Sequence, residues 1–284
     1  MYCVGKQAIP QDRLSFQKET ATVSTRNSRH CPIVKSIRMK SRTVYTQSGQ
    51  LSRITQEQVA AELSRVYPGL DPDSIPALTG YLNDLMHWNT KFNLTGIKDW
   101  KTVCRSLILD SLLLKDFLLE LPLPPAPLCL DLGAGAGLPG IPLRIVWSSG
   151  RYILVEPQQK KVTFLTYVLS RLHLPDTAVQ ALKIQDLPER LQHADLVLSR
   201  AFLPWNHLLE QSASLLAPGG FLLVFSTSPW TEEQTACPDN WTFFAQREYT
   251  IPDKRKRYFW AFHCTPESES GSLPIAARPS SPLF

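Results

Sequence analysis

Leu128-Cys129-Leu130-Asp131-Leu132-Gly133-Ala134-Gly135-Ala136-Gly137-Leu138-Pro139-Gly140 runs from an apolar segment straight into a glycine-rich turn. The first five residues read as a buried strand, and Ile141–Val146 beyond the turn read as a helix. A turn without side-chain bulk between a strand and a helix lets a ligand approach the backbone, with amide N–H groups and the helix N-terminus facing it. Asp131 ends the strand, where a pyrophosphate is repelled and an ammonium or sulfonium is favoured. Pro139 and Gly140 begin the helix loosely, whereas a pyrophosphate site calls for close helix packing there.

One strand on, Tyr152-Ile153-Leu154-Val155-Glu156 ends in a carboxylate able to accept from both hydroxyls of a ribose. Together the two strand ends fit S-adenosylmethionine, amino-acid end at the turn and ribose at Glu156. A dinucleotide and a purely structural glycine turn stay open as alternatives at this level.

Outward from the turn, short apolar runs alternate with helical segments. Lys160–Leu172 is helical, with Val162, Leu165, Val168 and Leu169 on one face. Further strands are expected at Ala178–Leu182, Asp195–Leu198 and Phe221–Phe225, the last after a Pro218-Gly219-Gly220 turn. Trp241–Tyr249 and Tyr258–His263 follow without a helix between them, as an antiparallel pair at one edge. The fold class is α/β: a doubly wound sheet, mostly parallel with an antiparallel edge.

Upstream, residues 53–121 read as a small helical subdomain. Thr55 and Gln58 form a capping box, and Ile75, Leu78, Leu82, Leu85 and Met86 recur at helical spacing. A third pattern runs through Val103, Leu107, Ile108, Ser111, Leu112 and Leu114. Pro122, Pro124, Pro125 and Pro127 mark the boundary to a sheet domain over 127–264.

The 284 residues are 43% hydrophobic and 19% charged, enough apolar material for a packed core, which excludes wholesale disorder. The richest apolar stretch, Leu107–Leu121, is broken by Asp110, Lys115, Asp116 and Glu120, so no membrane helix is expected. Six cysteines without paired spacing argue against a disulfide scaffold or zinc site; no metal is expected, and a reducing cytosol is the default. Residues 1–50 hold nine of the 30 basic and two of the 25 acidic side chains, so the net +5 belongs to an extension, expected to be disordered over 1–52. Its composition fits an RNA-attracting arm, a transit peptide or a misassigned start equally well. Residues 265–284 read as a loose tail.

Trp88-Asn89 with Asn93-Leu94-Thr95, Ile108-Leu109-Asp110-Ser111, Asp131–Pro142, Lys160–Leu165 and Ser199-Arg200-Ala201-Phe202 resemble the bacterial small-subunit ribosomal RNA guanine-N7 methyltransferases. The likeness spans residues 75–227, with an echo at Arg257–Phe262. It implies a class I S-adenosylmethionine-dependent methyltransferase with a Rossmann-like sheet, acting in the cytoplasm on 16S rRNA or the small ribosomal subunit particle. It also implies that Gly133, Gly135 and Leu138 line the methionine end, Glu156 holds the ribose, and Ile184 and Gln185 frame the adenine. Arg200 would sit beside the cofactor and the incoming base, as the catalytic residue. A monomer is the default. Two positions depart from the family pattern: Ser106-Leu107 stand where Arg-His is common, and Ser226-Thr227 where Lys-Gly is common. Arg105 and the run Lys254-Arg255-Lys256-Arg257 are the candidates to compensate.

Guanine N7 is an unprotonated lone pair, so a catalytic Asp/His dyad is not expected. Arg200 is the candidate to position the base through O6 or an adjacent phosphate; pairing with Asp195 is the structural alternative. Lys160, Lys161 and Lys183 read as a phosphate-facing rim or a solvated face, and Lys254–Arg257 as an exposed hairpin. Asn89, Asn93 and Thr95 are expected to fix a turn, and Trp88, Trp100, Trp147 and Trp205 to be core or half-buried. Asp110 and Ser111 are expected to make a buried polar contact to the sheet domain.

Overall fold

The computed structural model describes residues 53–200, 203–231 and 237–265. The extension read over 1–52, the tail beyond Thr265, and Ala201-Phe202 of the Ser-Arg-Ala-Phe motif lie outside the described residues. Among the described residues seven strands form one sheet: β1 (Leu128–Leu132), β2 (Arg151–Val155), β3 (Thr177–Gln180), β4 (Ala194–Ser199), β5 (Leu216–Ser226), β6 (Trp241–Thr250) and β7 (Lys256–Cys264). Their spatial order is β3-β2-β1-β4-β5-β7-β6. The first five pair in parallel, and β7 runs antiparallel to both β5 and β6.

The chain steps outward from β1 through β2 to β3, then returns to lay β4 on the other side of β1. The connections leaving the C-terminal ends of β1 and β4 therefore diverge, and such a reversal is where open α/β sheets bind ligands.

Alternation along the strands builds two cores. Cys129, Leu196, Leu198 and Leu223 pack with Leu82 of α2 (Ile75–Phe92), Leu112 of α4 (Leu109–Leu118) and Ile141 of α5 (Gly140–Val146). Leu130, Leu132, Val197, Leu222 and Val224 pack with Leu208 and Leu209 of α7 (Trp205–Ser212) on the other face. Helix α6 is Gln159–Leu172, and α1 is Gln56–Ser64 behind the expected Thr55/Gln58 capping box.

Several local readings are corrected. The third helical pattern is a short α3 (Trp100–Thr102) that passes through a π-helical stretch, Val103–Ile108, into α4. Ser111 does not reach the sheet; its Oγ donates to the Leu107 carbonyl one turn back, 3.1 Å away, the usual outlet for a serine inside a buried helix. Pro218-Gly219-Gly220 does not precede β5 but bulges inside it, between the pairs Ala194↔Leu216 and Leu196↔Phe221. Helix α7 was not expected from the sequence, since its eight residues carry only three apolar side chains, Trp205, Leu208 and Leu209. Trp147 is buried, and Trp88, Trp100 and Trp205 are half-buried, as expected.

Candidate active site

The glycine turn follows β1 with Gly133, Gly135 and Gly137 at φ +70°, +60° and +78°, values that favour glycine. At Gly137 a Cβ would also stand 2.6 Å from Ile141 Cδ1. The turn does not present its donors as the sequence implied. The N–H groups of Gly133 and Ala134 both donate to the Val155 carbonyl (2.9 and 3.1 Å), Gly135 N–H donates to Glu156 Oε2 (2.9 Å), and Gly137 N–H to the Ala134 carbonyl (2.7 Å). The carbonyl oxygens of Gly133 and Gly135 accept from none of the described residues.

Asp131 corrects a second reading. Its carboxylate is 1% exposed, accepts from the Tyr152 hydroxyl (3.3 Å), and lies under the first turn of α5 against Gly140. Burial pushes its pKa up to about 7, against the hydrogen bonds from Tyr152 and the Gly140 amide and the charge of Arg200. The helix N-terminus is thus occupied from inside by Asp131, four N–H groups of the turn are already bonded within the protein, and the carbonyl oxygens of Gly133 and Gly135 are left over. That leaves few donors for a pyrophosphate, whereas the ammonium and sulfonium of S-adenosylmethionine suit unpaired carbonyl oxygens. This donor set fits that cofactor.

Glu156 directly follows β2 and is 2% exposed. Besides the Gly135 amide, it accepts from Gln158 N–H at Oε1 (2.9 Å), with the Lys161 ammonium 3.9 Å from Oε2. One carboxylate therefore ties the glycine turn to the end of β2, and each oxygen keeps a further acceptor direction for a ribose hydroxyl. Lys161 is drawn to this acid rather than standing free at a rim, while Lys160 and Lys183 are exposed. Ile184 is buried in a short 3-10 turn after β3, and its neighbour Gln185 is exposed. Leu138 is buried in the turn itself. Sequence reasoning missed Tyr81, whose hydroxyl crosses from α2 to the Ala136 carbonyl (2.8 Å) and braces the turn from behind.

Arg200 leaves the end of β4. Its partner is not Asp195, which instead accepts from Leu128 N–H (2.7 Å), but Asp110 of α4, with Nη2 3.1 Å from Oδ2. Asp110 is fully buried and also receives Arg257 of β7 and the Tyr249 hydroxyl of β6 (3.1 Å). Burial raises its pKa, opposed by the two guanidinium groups and the Tyr249 hydroxyl. The buried contact from Asp110 to the sheet stands as expected, and it holds the predicted Arg200.

Asp110, Arg200, Phe225, Ser226, Thr227, Tyr249, Arg255, Lys256 and Arg257 line a cavity of about 490 Å³. Lys254, Arg255 and Lys256 are exposed, but Arg257 turns inward. Arg105, a candidate to compensate for the Ser106-Leu107 departure, pairs its guanidinium with Glu62 of α1 and keeps a partly exposed side chain. Asn89 closes the turn after α2, donating to the Ile97 carbonyl (2.9 Å) and accepting from Thr95 N–H (2.8 Å). Asn93 caps that helix in the left-handed region.

A sheet wound in this order, with an oxygen-lined glycine turn after β1 and a buried acid after β2, defines a class I S-adenosylmethionine-dependent methyltransferase. The chain belongs to the GidB family, described as rRNA small subunit methyltransferase G, whose model matches residues 74–259. With the family comes its enzyme class, an S-adenosylmethionine-dependent rRNA methyltransferase. Ribosomal RNA small subunit methyltransferase G of Nitratidesulfovibrio vulgaris (strain DP4) is 43% identical over 190 residues, 67% of this chain and 85% of that one. The protein of the same name from Oleidesulfovibrio alaskensis is 37% identical over 199 residues, 68% of this chain and 86% of its own. A solved SAM-dependent methyltransferase from Aquifex aeolicus superposes with TM-score 0.40 at 14% identity, over 53% of this chain and 89% of that one, too loosely to add to the sheet order. Among the described residues no helix is long and apolar enough to cross a membrane.

Proposed function

We propose that this chain methylates N7 of a guanine in 16S rRNA, met as RNA or within the small-subunit particle, and that it works as a cytoplasmic monomer. In this reading Gly133, Gly135, Leu138, Glu156, Ile184, Gln185 and Arg200 contact the cofactor, and Arg200 is also the catalytic residue that orients the base through O6 or an adjacent phosphate. The observation that carries it is the Arg200–Asp110 pair: a guanidinium fixed by a buried carboxylate at the end of β4, beside the glycine turn.

When bound, S-adenosylmethionine supplies a methyl group on a positively charged sulfur. Held by Gly133, Gly135, Leu138 and Glu156, it would supply that methyl group to the N7 lone pair, with the carbon–sulfur bonding pair returning to sulfur and the positive charge passing to the base. No proton moves, so no general base is required. What the chain must do is align N7 with the methyl group and exclude water. A guanidinium suits that task because its planar fork matches the guanine edge or a phosphate.

The test is Arg200→Lys, with the purified chain, S-adenosylmethionine and small-subunit rRNA. Turnover should fall while the cofactor Kd stays within about twofold of wild type. Loss of cofactor binding with Arg200→Lys would leave Arg200 as a cofactor ligand only.

A further inference from the structure

A second cavity adjoins the cationic one. It measures about 540 Å³ and is lined by Ser199, Trp205, Asn206, Phe225, Ser226 and Trp260, among others. That lies within the range of small-molecule sites. Phe225 and Ser226 line both cavities, so the two open on either side of one strand end. The alternation of the sheet explains the split. Ser199 is the last paired residue of β4, on the α7 face, and Arg200 is the next residue, facing Asp110 on the other.

The walls of this cavity are aromatic and neutral. Two of its lining residues each carry a buried polar atom with no hydrogen-bond partner among the described residues: Ser199 Oγ and Trp260 Nε1, on residues 1% and 4% exposed. Buried polar groups are rarely left unpaired unless something else supplies the partner. Ser199 pairs across the sheet with Leu132, the residue before Gly133, so this unpartnered hydroxyl stands next to the glycine turn. Phe225 also carries the Arg200 guanidinium over its ring, 5.9 Å from the centroid.

We propose that the two cavities form one nucleotide site: the aromatic cavity takes the unstacked guanine, whose edge pairs with Ser199 Oγ and Trp260 Nε1, and the cationic cavity takes its phosphate on Arg200 and Arg257. This rests on the reading of the chain as a guanine methyltransferase and deepens it. Enzymes that modify a base take it out of the stack and hold it by its edge and by ring contacts, and Trp205, Phe225 and Trp260 supply the rings here. Asp110 then acts as a positioning residue, holding both guanidinium groups at the phosphate side.

Ser199→Ala removes one polar atom and little volume, and Trp260→Phe removes the indole N–H together with two ring carbons while keeping an aromatic wall. Steady-state methyl transfer to small-subunit rRNA should show kcat/KM for the RNA lowered about tenfold in each, with the cofactor Kd within about twofold of wild type. Urea unfolding of Ser199→Ala should show a midpoint at or above that of wild type, because a buried hydroxyl without a partner contributes nothing to the fold. Arg257→Gln should flatten the dependence of log(kcat/KM) on log salt by somewhat under one unit. Wild-type kcat/KM in both cavity variants, with 7-methylguanine formed normally, would overturn the nucleotide site and leave the methyltransferase reading standing. A wild-type chain that binds S-adenosylmethionine yet forms no 7-methylguanine would overturn the guanine reading, and the base assignment with it.

Discussion

Replacing Gly140 by alanine sets two opposing effects against each other at the first residue of α5. In a helix, alanine is favoured over glycine by about 1 kcal/mol. At Gly140, however, the new Cβ would lie 2.5 Å from Asp131 Oδ2, 2.5 Å from Leu154 Cδ2 and 3.0 Å from Tyr152 Cε1. All three neighbours belong to buried side chains, with Asp131 at 1% and the other two at 0% exposure, and the Asp131–Tyr152 hydrogen bond runs through the same space. Overpacking of this kind costs about 1–3 kcal/mol, and a displaced carboxylate adds to it. The net expectation is a loss of about 2 kcal/mol. Gly80 in α2 is the internal control, because its added Cβ would meet only Leu172 Cδ2 at 3.5 Å, an ordinary contact. Gly80→Ala should therefore stabilise by about 0.5–1 kcal/mol. Urea unfolding of both variants reads the difference, and calorimetry with S-adenosylmethionine should show weaker binding for Gly140→Ala alone. If Gly140→Ala proved as stable as Gly80→Ala, the packing of Asp131 beneath the turn would be refuted.

Three further outcomes follow from the same geometry. Asp131 binds its proton more tightly folded than unfolded, so its contribution is fully present below about pH 4 and is lost as pH rises through about 7; Asp131→Asn should gain on wild type in melting temperature between those limits, by up to about 4 kcal/mol in stability. Glu156→Gln keeps the shape but loses the charge and one of two backbone acceptors, and should weaken S-adenosylmethionine binding about 10–100-fold by calorimetry. Arg144 is 1% exposed and donates to the carbonyls of Trp147, Ser148, Ser149, Gly150 and Pro175 and to Thr177 Oγ1; a lysine offers only three donors, so Arg144→Lys should cost about 3 kcal/mol in urea unfolding.

The sheet was legible in the sequence because its strands are short apolar runs punctuated by Gly and Pro, and the lack of a helical pattern between Trp241–Tyr249 and Tyr258–His263 already implied the antiparallel edge. Periodicity could not show the π-helical stretch at Val103–Ile108, whose apolar residues fall on the same face as those of an ordinary helix. The glycine turn and Glu156 were legible as a pair because each sits at a strand end. Where the turn's N–H groups go depends on the Val155 carbonyl and Glu156, which only the parallel pairing brings alongside. Asp110 was visible as an acid in an apolar helix, but its partners Arg200, Tyr249 and Arg257 lie 90 to 147 residues away in sequence, on three different strands or strand ends. The inward turn of Arg257 out of an otherwise exposed basic run was hidden for the same reason. Charge counts alone gave no sign that Arg105 pairs with Glu62.

The central claim is that this glycine turn, this buried acid and Arg200 together deliver a methyl group to guanine N7 of small-subunit rRNA. Nucleotide-resolution mapping of 7-methylguanosine in that rRNA, from a strain lacking the gene and from the same strain carrying wild type or Arg200→Lys, tests it directly. One mark should vanish on deletion, return in full with the wild-type chain, and return weakly with the lysine variant. An unchanged set of marks in the deletion strain would contradict the account.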